Sequence, residues 1–191
     1  MNSEKKTFRW RLAAAGACAA AALVLPAGAF ADGGGVGTGG GGGETTSGDK
    51  AKLKANGTAI APASAPRRVK RAIEAGNRID DKPYKYGGGH GSWNDKGYDC
   101  SGAVSYVLGD KGAKILNSPM PSGSFAKWGG KGKGKWITWY GDSGHVFVVI
   151  AGLRFDTSQP DDGKSGPGWS KDISKGFANV SRNAARHKGN L

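Results

Sequence analysis

Cysteines, acidic residues and long apolar runs are all scarce in this chain of 191 residues. There are two cysteines, and 15 aspartates and glutamates stand against 28 lysines and arginines, so the formal net charge is +13. The apolar stretch from Leu12 to Leu25 ends at Pro26. It is shorter than the roughly 20 residues that a bilayer-spanning helix needs. No internal repeat is visible, which argues against a repeat architecture.

The first 31 residues have the pattern of a secretory signal peptide. Ala29-Phe30-Ala31 supplies a small-x-small cleavage signal after the apolar stretch. The basic side chains before that stretch are Lys5, Lys6, Arg9 and Arg11. We therefore predict that residues 1–31 are a signal peptide. The product is expected to be secreted, extracellular or associated with the cell wall, and not stably inserted in a membrane.

Cleavage after Ala31 changes what the cysteines can do. Cys18 leaves with the signal peptide, so the mature chain keeps only Cys100 and has no internal disulfide. A single cysteine in an exported protein indicates either pairing with another chain or a thiol retained for chemistry.

The positive charge allows two interpretations. Cleavage removes four basic side chains and Glu4, which leaves a formal net charge of +10. This charge favours attraction to anionic polymers outside the cell, such as a wall polyphosphate or the carboxylates of peptidoglycan. It is equally explained by a general requirement for solubility. Nucleic acid is a poor partner for an exported chain without a recognisable binding module.

Composition divides the mature chain into a linker and a domain. Residues 32–65 are rich in Gly, Ala and Pro, which predicts a flexible linker. Residues 66–191 are predicted to fold. Val69, Ile73 and Gly76 recur at helical spacing, and Ala103, Val104, Val107 and Leu108 form the apolar stripe of a second helix that stops at Gly109.

Three strands are predicted after the helices, over 136–140, 145–150 and 153–157, and the middle one is apolar enough to be buried on both faces. Ala151-Gly152 is expected to form a tight turn between the last two. Residues 112–134 and 157–173 are predicted to be irregular, and the basic tail leaves His187 either packed on the domain or free. Helices followed by strands indicate an α+β fold with helices packed on an antiparallel sheet.

Cys100 lies where the second helix should begin, with Asp99 as its N-cap. The free N–H groups and partial positive charge at a helix N-terminus lower a thiol pKa and favour the nucleophilic thiolate. A backbone N–H there is also suited to an oxyanion. From spacing alone, a buried structural cysteine is an equally good interpretation.

His145 is the best-placed base because it opens the strongest strand, whereas His90 and His187 lie in a loop and in the tail. If Ala151-Gly152 is a two-residue turn, Phe147 lies opposite Asp156. Asp156 is then on the same face as His145 and within reach, suited to orienting the imidazole. A bulge at Gly152 would reverse this arrangement.

Three segments resemble motifs of the NlpC/P60 cysteine peptidases. Asp99-Cys100-Ser101-Gly102 resembles the nucleophile motif of that family, and Gly144-His145-Val146 resembles its histidine motif. The segment Pro83-Tyr84-Lys85-Tyr86-Gly87-Gly88 resembles its upstream aromatic and glycine segment. The three occur in the family's order within residues 66–191.

The resemblance implies a papain-like core in which Cys100 is the nucleophile and His145 the base. Such enzymes hydrolyse peptidoglycan peptide between D-γ-glutamate and a diamino acid, and they need neither a cofactor nor a metal. The resemblance also implies that Tyr84 lies near the nucleophile and that Asp99 and Ser101 line the pocket for the N-terminal side of the substrate. Asp156 stands where the family often has histidine.

Two other functions are compatible with the same residues. An amidase or acyltransferase uses the same nucleophile on a different bond, because a Cys–His pair does not define the acyl donor. A non-catalytic wall-binding protein on a peptidase scaffold is the third alternative.

Overall fold

The structure, a computed structural model, describes residues 44–158 and 160–191. The predicted signal peptide and residues 32–43 of the predicted linker lie outside the described residues. The helices are α1 (Arg67–Ile79), α2 (Cys100–Leu108) and the short α3 (Ser122–Phe125). The strands are β1 (Thr45–Thr46), β2 (Lys52–Leu53), β3 (Ala59–Pro62), β4 (Gly130–Lys131), β5 (Ile137–Gly141), β6 (Val146–Ile150), β7 (Leu153–Asp156), β8 (Gly168–Ser170) and β9 (Ala185–His187).

The main sheet has six strands in the order β4-β9-β5-β6-β7-β8, and every pair in it is antiparallel. A smaller sheet has the order β1-β3-β2. Helix α2 packs on β6 and β7, and α1 packs on α2, β3 and β8. The predicted mixed fold, with helices packed against an antiparallel sheet, is therefore confirmed at the level of α+β.

The predicted apolar stripes of both helices face this core. Val69 and Ile73 of α1 and Val104 and Val107 of α2 are at most 1% exposed. They share one cluster with side chains from the sheet. Those sheet residues are Ile137, Trp139, Val146, Val148, Ile150, Leu153, Phe155 and Trp169.

The sheet is also covered on its other face, as the unbroken apolar sequence of β6 predicted. Phe147 of β6 and Tyr140 of β5 belong to a second cluster. Side chains of two 3₁₀ turns, Ile173–Ala178 and Arg182–Ala184, pack against it. Because side chains alternate along a strand, Val146 and Val148 pack in the cluster that faces the helices, while Phe147 packs in the second cluster on the other face of the sheet.

The predicted linker is wrong for residues 44–65, which are ordered and packed on the domain. Ala59 and Ala61 of β3 are buried. The side-chain amide of Asn77 donates to the carbonyl of Ala59 and accepts from its N–H, both at 2.8 Å. Asn77 also accepts from the Trp169 indole at 2.9 Å. Small residues resemble a linker in composition, but here they allow a close approach to α1.

The segments predicted to be irregular contain further elements. Residues 112–134 include α3 and β4, and residues 157–173 include β8. The basic tail is not free, because β9 lies between β4 and β5 and places His187 opposite Gly130. These strands are two or three residues long, which is too short to show a sequence period.

Among the described residues, no helix is both long enough and apolar enough to cross a membrane.

Gly76 is where α1 approaches the sheet most closely. A Cβ at this position would lie 2.4 Å from Cζ2 of Trp169. We therefore expect Gly76→Ala to lower the free energy of unfolding by about 1–3 kcal/mol through overpacking, although alanine is the better helix former. The measurement is denaturant unfolding.

Gly91→Ala is the matched control, because a Cβ there meets nothing within 4 Å. It should change the free energy of unfolding by no more than about 0.5 kcal/mol. An unchanged or increased stability of Gly76→Ala would contradict the close packing of α1 on Trp169.

Candidate active site

Cys100 is the first residue of α2, as the sequence predicted. Asp99 has extended backbone angles and caps the helix, accepting from the N–H of Gly102 at 2.7 Å. Every residue from 101 to 108 is buried, whereas Cys100 is half-buried and is a free thiol. The apolar helix anchors the cysteine, and the cap leaves the thiol at the electropositive end of α2.

Backbone contacts seat the glycine-rich loop directly on the start of α2. A Cβ on Gly102 would lie 1.9 Å from the carbonyl oxygen of Gly88, so the helix tolerates no side chain at this position. A Cβ on Gly88 would instead lie 2.3 Å from the carbonyl oxygen of Gly97. The N–H of Gly87 donates to Oδ2 of Asp99 at 3.0 Å. Tyr84 forms an isolated parallel bridge with Tyr98. The glycine of the nucleophile motif is therefore explained by its close contact with the loop.

His145 is positioned by a turn that precedes β6. Oδ1 of Asp142 accepts from the N–H groups of Gly144 and His145, at 2.8 and 2.9 Å. The N–H of Asp142 in turn donates to the carbonyl of His145. This local ring of hydrogen bonds fixes the direction in which the histidine enters the strand.

The register between β6 and β7 brings Asp156 to His145. Ile150 pairs with Leu153 and Val148 pairs with Phe155, so Ala151-Gly152 is a two-residue turn without a bulge. Both turn residues have positive φ, 47° and 87°, as a type I′ turn requires. His145 Nε2 lies 2.9 Å from Oδ1 of Asp156, the contact that strand parity predicted.

The carboxylate of Asp156 is 2% exposed and fully engaged. Besides His145, its Oδ1 accepts from the N–H groups of Thr157 at 2.7 Å and Ser158 at 3.2 Å. Its Oδ2 accepts from Nη1 of Arg154 at 2.7 Å. Sequence reasoning missed Arg154, which is completely buried and also donates to the carbonyl of Ser158. Strand parity was a usable signal for this pair, because Arg154 and Asp156 are two residues apart on β7 and therefore share a face.

Cys100, His145 and Asp156 are thus brought together, and the charges there favour a protonated imidazole. Burial alone lowers the pKa of His145. Hydrogen bonds to Asp156 and Cys100, with the negative charges of both groups, outweigh burial and raise this pKa to about 10. Since Nε2 is taken by Asp156, Nδ1 is the nitrogen left for the thiol. At neutral pH the arrangement places an imidazolium beside the sulfur of Cys100.

Tyr84 lies close enough to the nucleophile to feel its charge. Burial, together with the negative charges of Cys100 and Asp99, raises the pKa of Tyr84. The phenol therefore keeps its proton at neutral pH and is available as a hydrogen-bond donor. Tyr84 is 48% exposed and its neighbour Tyr86 is 90% exposed. Tyr84 thus presents a half-exposed aromatic side chain beside Cys100.

Asp99 and Ser101 are largely occupied by internal hydrogen bonds. Both are at most 9% exposed, and the Ser101 hydroxyl donates to Oδ1 of Asp99 at 3.1 Å. His90 Nε2 lies 3.1 Å from Oδ1 of Asp99 and 3.0 Å from Oγ of Ser101. His90 is half-buried, so it is the accessible member of this cluster. The sequence analysis did not assign His90 a role. Its place between Gly89 and Gly91, directly after the glycine-rich segment that resembles a family motif, could have indicated that it lies near Cys100.

No group of three or more His, Cys, Asp or Glu side chains in residues 44–158 and 160–191 is arranged to hold a metal ion.

The raised pKa of His145 predicts how this site responds to pH. Folded protein binds the imidazole proton more tightly than unfolded protein does. The resulting stabilisation is fully present below the ordinary pKa of 6.5 and is lost as the pH rises through about 10. We expect an NMR titration of the His145 imidazole to have its midpoint near pH 10, and Asp156→Asn to lower that midpoint.

Asp110→Asn, at an exposed aspartate outside this cluster, is the control and should leave the midpoint where it is. A His145 midpoint near 6.5 in the unsubstituted chain would show that the imidazole is not paired with Asp156 and Cys100 in solution.

Comparison with known proteins leaves the family open. No protein-family model matches the chain, and no curated protein matches it significantly.

Proposed function

We propose that this protein is a secreted cysteine peptidase of the NlpC/P60 type, with a papain-like core, that hydrolyses the stem peptides of peptidoglycan. The observation that carries the proposal is a half-buried free thiol at a helix N-terminus beside an imidazole held by a buried carboxylate. The three motif segments support the family, and Asp156 takes the position often occupied by histidine.

The charges suggest how the first half of the reaction proceeds. The Cys100 thiolate attacks the carbonyl carbon of the scissile amide, forming a C–S bond. The developing oxyanion is suited to a free N–H in the first turn of α2. His145, already protonated, gives its proton to the leaving amine as the C–N bond breaks. Asp156 stabilises the imidazolium and keeps Nε2 occupied, so that Nδ1 faces the reaction.

The second half regenerates the thiolate. Neutral His145 takes a proton from water, and the resulting hydroxide attacks the thioester carbonyl. The C–S bond breaks, the peptide leaves as a carboxylic acid whose proton passes to the released amine in solution, and His145 is again an imidazolium beside the thiolate. No proton or electron is left over, and the chemistry requires no cofactor. From the family resemblance, the expected bond joins D-γ-glutamate to a diamino acid.

Digestion of purified peptidoglycan, followed by mass spectrometry, tests this proposal. The chain is purified after export from a bacterial host and compared with Cys100→Ala, with Cys100→Ser and with wild type alkylated by iodoacetamide. We expect fragments cut between glutamate and the diamino acid, and a rate at least about 10⁴-fold lower for both variants.

Other results would point to the other functions. Release of intact stem peptides from the sugar chain, or new amide linkages, would indicate an amidase or an acyltransferase instead. Intact wall in every sample, with the chain sedimenting on it, would indicate a binding protein. Full digestion by Cys100→Ala would eliminate Cys100 as the nucleophile.

His90 is proposed to contact the substrate, because Asp99 and Ser101 are buried behind it. His90→Ala should raise KM by about tenfold through loss of one hydrogen bond to a polar substrate group, with little change in kcat. Steady-state kinetics on a soluble stem peptide measures both constants.

Lys96→Ala, at an exposed position of the same loop, is the control and should alter neither constant. A fall in kcat at unchanged KM would instead place His90 in the chemical step. A lower melting temperature with unchanged kinetics would limit it to supporting Asp99.

A further inference from the structure

Two long segments of the chain contain no acidic residue at all. Residues 111–141 have six lysines and no aspartate or glutamate, and residues 173–191 have four basic side chains and none. Residues 5–31 and 50–73 also lack aspartate and glutamate, so acid-free stretches of this length are not unusual in this sequence. The fold then decides whether these charges disperse or gather.

The main sheet brings the basic residues of the two segments together. Strand β9, from the second segment, lies between β4 and β5 of the first. Its register sets Arg186 directly opposite Lys131. Like charges directly opposite each other on paired strands repel, and a bound anion would relieve this repulsion.

Three cavities beside this edge share lining residues and so follow one another along a path. The first, of about 550 Å³, and the second, of about 480 Å³, share the wall formed by residues 133–136. The third, of about 360 Å³, shares Gly189 and Asn190 with the second. No aspartate or glutamate lines any of the three. We call the six exposed cations along the path the basic track: Arg68, Lys114, Lys133, Lys135, Arg182 and Lys188.

The cations of the basic track are almost all without a carboxylate partner. Within the described residues only Lys114 makes an ion pair, at 3.7 Å from Asp110. Three others lie over aromatic rings, a contact that steers the charged group and leaves its hydrogens available. Lys188 is 4.9 Å from the centre of the Trp128 ring, Arg182 is 4.3 Å from that of Phe177, and Lys135 is 5.7 Å from that of Trp136.

We propose that the basic track binds a linear polyol or sugar chain whose units are joined by phosphodiesters. An extended path with charges along it matches a polymer with one negative charge per unit. The same aromatic rings are covered by cations, or buried, and so offer no free face on which nucleic acid bases would stack. A polyanion without bases therefore fits the track better than a nucleic acid does.

Such a polymer would leave the cysteine site open. Val149 and Gly152 line the first cavity, whereas His145 stands at the opposite end of β6. The separation along the strand is about 13 Å for the four residues from 145 to 149. The basic track would hold the chain on a wall polymer while peptide is hydrolysed at Cys100. Binding at the track does not depend on the chemistry at Cys100.

Binding of poly(glycerol phosphate) tests the proposal, using exported full chain with Cys100→Ala so that affinity is read without catalysis. The track variant replaces Lys133, Lys135 and Lys188 with Gln. Its matched control replaces Lys52, Lys96 and Lys171 with Gln; these are exposed and line none of the three cavities. We expect the track variant to bind at least about tenfold more weakly, with a log K against log salt slope shallower by about 2.

The affinity of the control variant should stay within about twofold of that of the parent chain, because the basic track, and not total charge, determines the affinity. Equal losses in both variants would overturn the proposal, since binding would then follow net charge alone. Equal or tighter binding of a single-stranded oligonucleotide with the same number of phosphates, or of phosphatidylglycerol vesicles, would overturn it in favour of those partners. Cleavage of a phosphate-free stem peptide by Cys100-containing chain tests the peptidase separately.

Discussion

The carboxylate of Asp156 lies out of contact with solvent at the end of β7, where it accepts hydrogen bonds from His145, Arg154 and two backbone N–H groups. A buried carboxylate is costly unless every lone pair is used, and here the surroundings supply donors on both oxygens. That requirement ties the start of β6, the end of β7 and the chain that follows into one unit. The imidazole is oriented as a consequence of satisfying the charge.

A second constraint places the sulfur against that imidazole. The loop carrying Tyr84 meets α2 through backbone atoms, because a Cβ on Gly102 would lie 1.9 Å from the carbonyl oxygen of Gly88. Asp99 closes the contact by accepting from the N–H groups of both Gly87 and Gly102. The helix start, Cys100 and the loop that carries Tyr84 are therefore held by the same few hydrogen bonds, and their geometry is coupled.

The two charged regions of the molecule follow opposite rules. Around His145 each charge has a partner within hydrogen-bond distance, and the groups are buried or half-buried. Along the basic track the cations are exposed and nearly all lack a carboxylate within the described residues. Close pairing in low dielectric suits the proposed chemistry at Cys100, whereas unpaired surface charge suits the proposed attraction of a polyanion over a Debye length. The separation by the length of β6 allows both regions to operate in one domain.

Local patterns in the sequence were sufficient for the main elements and for the catalytic candidates. The apolar spacing of α1 and α2, the cap at Asp99 and the turn at Ala151-Gly152 depend on neighbours within a few residues, so they can be predicted without a fold. The same turn set the strand parity that brings Asp156 to His145. The site was thus largely encoded in short-range geometry.

Only the tertiary structure decided the remainder, because it depends on contacts between distant segments. Residues 44–65 resemble a linker until Asn77 engages Ala59 and Trp169. His90 joins the site because the fold places it within hydrogen-bond distance of Asp99 and Ser101. Arg154 joins it because it donates a hydrogen bond to the buried carboxylate of Asp156. The basic tail becomes part of a track when β9 enters the sheet beside β4. Sequence period reports which face of an element is apolar, but only packing determines which charges meet.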